Sequence, residues 1–279
     1  MLNINANATS GLVNLDTTRM FDHAFIEGTE PPIDTFINKI KNLTLLVNPA
    51  SFDRLNGNLV LLGSVSAVES YMREVIRKCI LIDFESRIKC EKHLMTYGAA
   101  ISHEASLMPE AILEDVSFAG KGNIVESMRN FLGIKGRVDN SLDAILDEFV
   151  KVCQIRHCLV HRYGKLGTKN AIALGLSNHS SCIEKPLHLS YVSLQECQAI
   201  TLSLVKEVNN YIFKKLLRRL IMDDNGSKKS NIIWQWDYRS DKKNFMLYYD
   251  ILVSRLEPPT AHASAYECYE IYRDFYRNS

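Results

Sequence analysis

The stretch Leu59-Val60-Leu61-Leu62-Gly63-Ser64-Val65-Ser66-Ala67-Val68-Glu69-Ser70-Tyr71-Met72-Arg73-Glu74-Val75-Ile76-Arg77-Lys78-Cys79-Ile80-Leu81-Ile82 decides the reading of the fold. Leu62, Val65, Val68, Met72, Val75, Ile76 and Cys79 recur at the i, i+3, i+4, i+7 spacing of an amphipathic helix. Glu69, Arg73, Glu74, Arg77 and Lys78 form its polar face.

Working outward, residues 84–102 read as a second helix, and Gly120-Lys121-Gly122-Asn123 as an exposed, flexible connection to a helix over 124–132. Lys121 lacks the GxxxxGK[ST] frame of a phosphate-binding loop. Residues 141–160 carry the stripe Leu142, Ile145, Leu146, Phe149, Val152, Cys153 and Leu159, with Asn140 or Ser141 as the amino-terminal cap. After Gly164 and Gly167 the chain reads as loop through Pro186, and a long helix follows over 193–220. Upstream, Phe36, Ile37, Ile40, Leu43 and Leu46 predict a short docking helix over 35–47. Long amphipathic helices without β-α-β alternation predict an all-α fold, an antiparallel helical bundle.

Asp223-Asp224-Asn225-Gly226 is a strong breaker, and the chain beyond it is dense in aromatics. Residues 232–238 and 245–253 read as a short β-hairpin around a polar turn, followed by a final helix carrying Tyr266, Tyr269, Tyr272, Phe275 and Tyr276. The expected organisation is an amino-terminal extension over 1–55, a bundle over 56–222, and an aromatic-rich extension over 223–279 that packs on the bundle or on a partner.

Bulk composition narrows the class of protein without choosing a function. With 279 residues, 46% apolar and 23% charged, the chain has the make-up of a folded globular protein. A net charge of +1 requires any nucleic-acid footprint to be local. The seven cysteines form no CxxC pair, and the first residues lack a basic region followed by an apolar run, so a reduced, cytoplasmic protein is expected. No apolar run approaches the roughly 20 residues of a membrane span.

Chemistry concentrates in Arg156-His157-Cys158-Leu159-Val160-His161-Arg162-Tyr163-Gly164, at the end of an otherwise apolar helix. On an unbroken helix, five positions rotate His161 by roughly 140° from Arg156, so the pair needs a helix break or a second subunit to converge. A cationic Arg and His closing a helix carboxyl terminus are also favoured by its dipole, though Arg162 directly after His161 exceeds what a cap requires. His157 and His161 share one face as two metal ligands do, but Cys158 stands where His-Glu-x-x-His needs Glu; no metal and no cofactor is expected.

An arginine followed after four residues by a histidine, with the polar His157 in between, resembles the signature of the HEPN superfamily, and the likeness spans roughly residues 59–220. The resemblance implies a bundle that forms a homodimer, placing Arg156 and His161 of both protomers in one cleft that cuts RNA (mRNA or tRNA) without a metal ion. A histidine with a pKa near 6.5 suits the removal of a proton from a ribose 2′-hydroxyl. An arginine suits the charge that builds on phosphoryl oxygens. The resemblance implies 2′,3′-cyclic phosphate ends, and a toxin or antiphage effector with an antitoxin or sensor protein as further partner. It also gives Glu69 the part of an acidic residue that orients the motif; the plain alternative is a charge on a solvated face.

Arg156-x4-His161-x-Tyr163 is similar to HEPN toxins silenced by AMP attached to the tyrosine, but Gly164-Lys165-Leu166-Gly167 looks more like longer HEPN branches. Packing or base stacking is the plainer role for Tyr163. Lys214, Lys215, Arg218 and Arg219 form i, i+4 rows that suit an RNA backbone or a solvated face. The competing function is a non-catalytic module that binds RNA or dimerises within a larger defence or toxin-antitoxin assembly.

Overall fold

The computed structural model describes residues 6–8, 11, 13–230, 232–260 and 264–277; residues 1–5, 9, 10 and 12 of the expected amino-terminal extension lie outside them. It is an all-helical bundle of eleven α-helices, with no strand among the described residues. In chain order these are α1 (Pro32–Thr44), α2 (Arg54–Ile82), α3 (Phe84–Cys90), α4 (Tyr97–Ser102), α5 (Met108–Ala111) and α6 (Lys121–Leu132). Then follow α7 (Asn140–Arg162), α8 (Thr168–His179), α9 (Tyr191–Arg219), α10 (Tyr238–Leu252) and α11 (Ala265–Arg277). No helix among the described residues is long and apolar enough to cross a membrane.

Helix α2 is the axis of the molecule, packing against α1, α6, α7, α9 and α10. Its apolar positions Val65, Val68, Met72, Val75, Ile76 and Cys79 are buried. The core is continuous from Ile33 on α1 to Tyr272 on α11. Helix α1 starts earlier than its apolar spacing predicts, because Pro32 brings a fixed φ suited to the first turn and loses no hydrogen bond there.

Four expectations change. Residues 84–102 form two helices, since Thr96 caps a new start by accepting from the Ala99 N–H, and the His93 ring stacks on Phe131. Lys121 belongs to α6, not a flexible connection: it opens the helix and pairs with Asp143 at 2.9 Å and Asp147 at 2.8 Å on α7. The stretch read as loop between Gly167 and Pro186 contains α8, kinked at Gly175, where φ is 100°.

The expected β-hairpin is absent, because its second strand lies within α10. Asp237 caps that helix by accepting from the Ser240 N–H, and Asp241, Phe245, Tyr248 and Leu252 are buried at helical spacing. The Asp241 carboxylate also accepts from the N–H groups of Gln235 and Trp236 and from the Tyr269 hydroxyl, holding the preceding segment and α11 together. Ser264 and Glu267 form a reciprocal capping box at the start of α11. Trp234, Phe245, Tyr269 and Tyr272 are buried against one another, with Phe245 and Tyr269 edge to face at 5.4 Å.

Asp83 forms the tightest polar junction. It caps α3 by accepting from the Ser86 N–H, receives the Tyr248 hydroxyl from α10, and is bonded by the Arg219 guanidinium from α9. The same guanidinium donates to the Leu132 carbonyl that ends α6. Removing Arg219 leaves a carboxylate that is 2% exposed without its cation. Arg219→Ala therefore lowers the unfolding free energy by about 3–5 kcal/mol, whereas Tyr248→Phe costs about 1 kcal/mol; urea unfolding curves check both.

Candidate functional site

Helix α7 runs unbroken through Arg156 and His161 and stops one residue after His161, at Arg162. Tyr163 adopts a left-handed conformation (φ 51°) and Gly164 follows at φ 90°. The Gly164 N–H closes the helix end by donating to the Cys158 carbonyl at 3.0 Å. The chain is then tied to its own return path: Leu187 N–H donates to the Gly164 carbonyl at 2.8 Å, and Leu166 N–H to the Lys185 carbonyl at 3.0 Å. Arg162 joins this tether through a 2.5 Å ion pair with Glu184.

Upstream of the tether the polar groups are left open. His157 and His161 are exposed, and their rings lie 4.3 Å apart. Arg156 is half-buried. Among the described residues these three side chains make no hydrogen bond or ion pair with another side chain or the backbone. Some other arginines are committed: Arg73 donates to the carbonyls of Leu113 and Val116, and Arg77 pairs with Glu27 and Glu110. Burial and the neighbouring His161, Arg156 and Lys169 hold the His157 imidazole below its usual range.

Because α7 has no break between Arg156 and His161, the rotation of roughly 140° separates them within one chain. The structure brings His157 and His161 together, not Arg156 and His161. Glu69 is half-buried on α2 and lines a cavity of about 700 Å³ with Arg73, Arg77, Lys39 and Ser70. Cys153 lies between Glu69 and Arg156 electrostatically: burial first, then Glu69, push its thiol up to about 12, and Arg156 opposes them. Tyr163 is 89% exposed, which rules out a packing role within the chain.

The basic row on α9 divides. Arg219 is committed to Asp83 in the core and is unavailable to a nucleic acid. Lys215 sits over the Tyr211 ring at 5.0 Å, Lys214 is exposed, and Arg218 is half-buried near Gly226. A residue that sequence reasoning missed is Lys169, exposed in the first turn of α8, whose charge bears on His157. The run Ala171-Ile172-Ala173-Leu174 after Gly167 carried a helical signal, masked by Gly175.

Among the described residues, no group of three or more His, Cys, Asp or Glu is placed to hold a metal ion. Comparison with protein-family models, curated proteins and solved structures returns no match.

The open cluster has a titration signature. His157 titrates below the unperturbed imidazole value of about 6.5, so the unfolded chain takes up that proton first as the pH falls. Its contribution to stability is present above the unfolded value and is lost as the pH drops through the folded one. Imidazole resonances followed by NMR across pH 4.5–8 (about two units either side of the unperturbed value) show the depressed midpoint, and Arg156→Gln moves it upward.

Proposed function

We propose that the chain is a metal-independent endoribonuclease of the HEPN type, a toxin or antiphage effector that works as a homodimer. The observation that carries this reading is that Arg156, His157 and His161, at the end of an intact helix, are left without a protein partner among the described residues, whereas Arg73, Arg77, Arg219 and Arg273 are each paired. Within one chain the helix keeps Arg156 and His161 apart, and a two-fold axis beside the end of α7 would supply each His161 with an arginine from the other protomer.

The reaction is an internal transfer. His161 accepts the proton of the ribose 2′-hydroxyl, the 2′-oxygen forms a bond to phosphorus, and the bond from phosphorus to the 5′-oxygen breaks. A proton returns to the departing 5′-oxygen, and the other strand end keeps a 2′,3′-cyclic phosphate. Arg156 donates to the phosphoryl oxygens as their charge rises. Glu69, half-buried on α2, bears with Arg156 on the Cys153 thiol, and we give it the supporting role for Arg156. Tyr163, exposed at the rim, is free to stack on a base.

Incubation with total RNA and with tRNA in excess EDTA tests the reading. Wild-type protein is expected to leave cyclic phosphate ends, and His161→Ala to slow cleavage by about 100-fold or more while retaining the fold. Equal cleavage by both removes His161 from the chemistry. No cleavage by a dimeric wild-type protein that still binds RNA favours the non-catalytic module.

A further inference from the structure

The ribonuclease reading assigns no role to α8, yet α8 carries a cation to the histidine pair. Asn170 is buried, and its Nδ2 donates to the Gln154 Oε1 at 2.8 Å, one turn of α7 before His157. At the other end, α8 starts hard against the last turn of α7. A Cβ added at Gly167 would lie 2.7 Å from the Arg162 Nη1. Lys169 lies between these two contacts, so the first turn of α8 is fixed alongside His157 and His161. Its side chain is exposed and makes no hydrogen bond or ion pair among the described residues.

Several acids of α7 and of the returning loop are already engaged. Glu184 pairs with Arg162, Glu148 with Lys151, and Asp143 and Asp147 with Lys121. The charges that bear on His157 are those of His161, Arg156 and Lys169, all basic. Holding His157, His161 and Lys169 together with no carboxylate bonded to any of them among the described residues is unfavourable for the isolated chain, and an anion offsets that cost. Two imidazoles supply N–H donors, and a lysine supplies a compact charge that places few angular demands on a phosphate oxygen.

We infer that Lys169 on α8 joins His157 and His161 on α7 in a phosphodiester-binding face, built within one chain, that takes a backbone phosphate of RNA. This rests on the ribonuclease reading for the identity of the ligand, but not on cleavage or on the dimer. Lys169 is a binding and positioning residue: it helps hold the strand on the face where His161 acts. Because α8 sits on the flank of α7, the strand is directed across the α7–α8 surface.

Binding is measured by fluorescence anisotropy with a labelled single-stranded oligoribonucleotide methylated at every 2′-oxygen, which cannot undergo 2′-attack. The full-length wild type, Lys169→Gln, Lys169→Arg and a distant control, Lys92→Gln on the exposed segment after α3, are titrated over a range of salt. Lys169→Gln is expected to weaken binding and to reduce the steepness of log K against log salt by about 0.7, the contribution of one phosphate contact on a single strand. Lys169→Arg keeps the wild-type slope, and Lys92→Gln leaves affinity and slope unchanged.

An unchanged slope in Lys169→Gln, an equal loss in Lys92→Gln, or no binding by the wild type overturns the inference. Cleavage assays separate the two claims. Loss of binding in Lys169→Gln without any RNA cleavage by the wild type sinks the ribonuclease reading and keeps this one, whereas His161-dependent cleavage with no effect of Lys169 does the reverse.

Discussion

Asp83 has almost no contact with water, and a carboxylate in that position must be paired and fully bonded or it destabilises the whole domain. Beside its local cap to Ser86 on α3, its partners come from elements distant in sequence, Arg219 on α9 and Tyr248 on α10, with Arg219 extending the junction to the end of α6. Such a junction adds little net stability over a well-packed apolar one, but it admits few alternative registers. It fixes α9 relative to the end of α2, and α7 packs on both of those helices. A second polar relay, from Tyr71 through Asn209 to the Leu252 carbonyl, ties α2, α9 and α10 at a higher level. The position of the last turn of α7 follows from these constraints.

The arginines show how differently one chemistry is used in one fold. Arg73, Arg77 and Arg219 satisfy carbonyls and carboxylates inside the bundle, and Arg162 fastens a loop. Arg156 does none of these, although it lies only six residues from Arg162 on the same helix. An arginine held by protein acceptors contributes to the fold; one without them retains its hydrogen-bonding capacity for a ligand. Arg219 shows the reverse error of a spacing argument, since its place in an i, i+4 basic row suggested a solvated or RNA-facing residue while its guanidinium is half-buried against Asp83.

The long helices were legible because their stripes are strong: Val65 to Cys79 on α2, Leu142 to Leu159 on α7, and Leu194 to Ile212 on α9 are buried as the spacing predicts. Helix α10 was misread because Phe245, Leu247, Tyr248, Ile251 and Val253 include the residue types of strands, and the Asp237 to Ser240 cap carries little weight against them. Helix α8 was hidden by glycines at both its start and its kink. For the site, the residues Arg156, His157 and His161 were visible in the sequence, as was the angular problem of their spacing. What spacing did not convey was which basic groups are left open, because partners such as Glu184 for Arg162 arrive from another part of the chain.

The tether at the end of α7 has a consequence for how this surface can diverge. Gly164 and Leu187 are directly bonded through the backbone, so residues 165–186 form an excursion whose two ends already meet. Lengthening or exchanging a segment with joined ends adds only a small closure entropy, growing with the logarithm of its length. Natural variation can therefore replace α8, and with it the charge and shape presented beside His157 and His161, while the helices around Asp83 stay as they are. The bundle acts as a fixed frame, and the excursion as an exchangeable part through which one reactive helix end can be fitted to different strands.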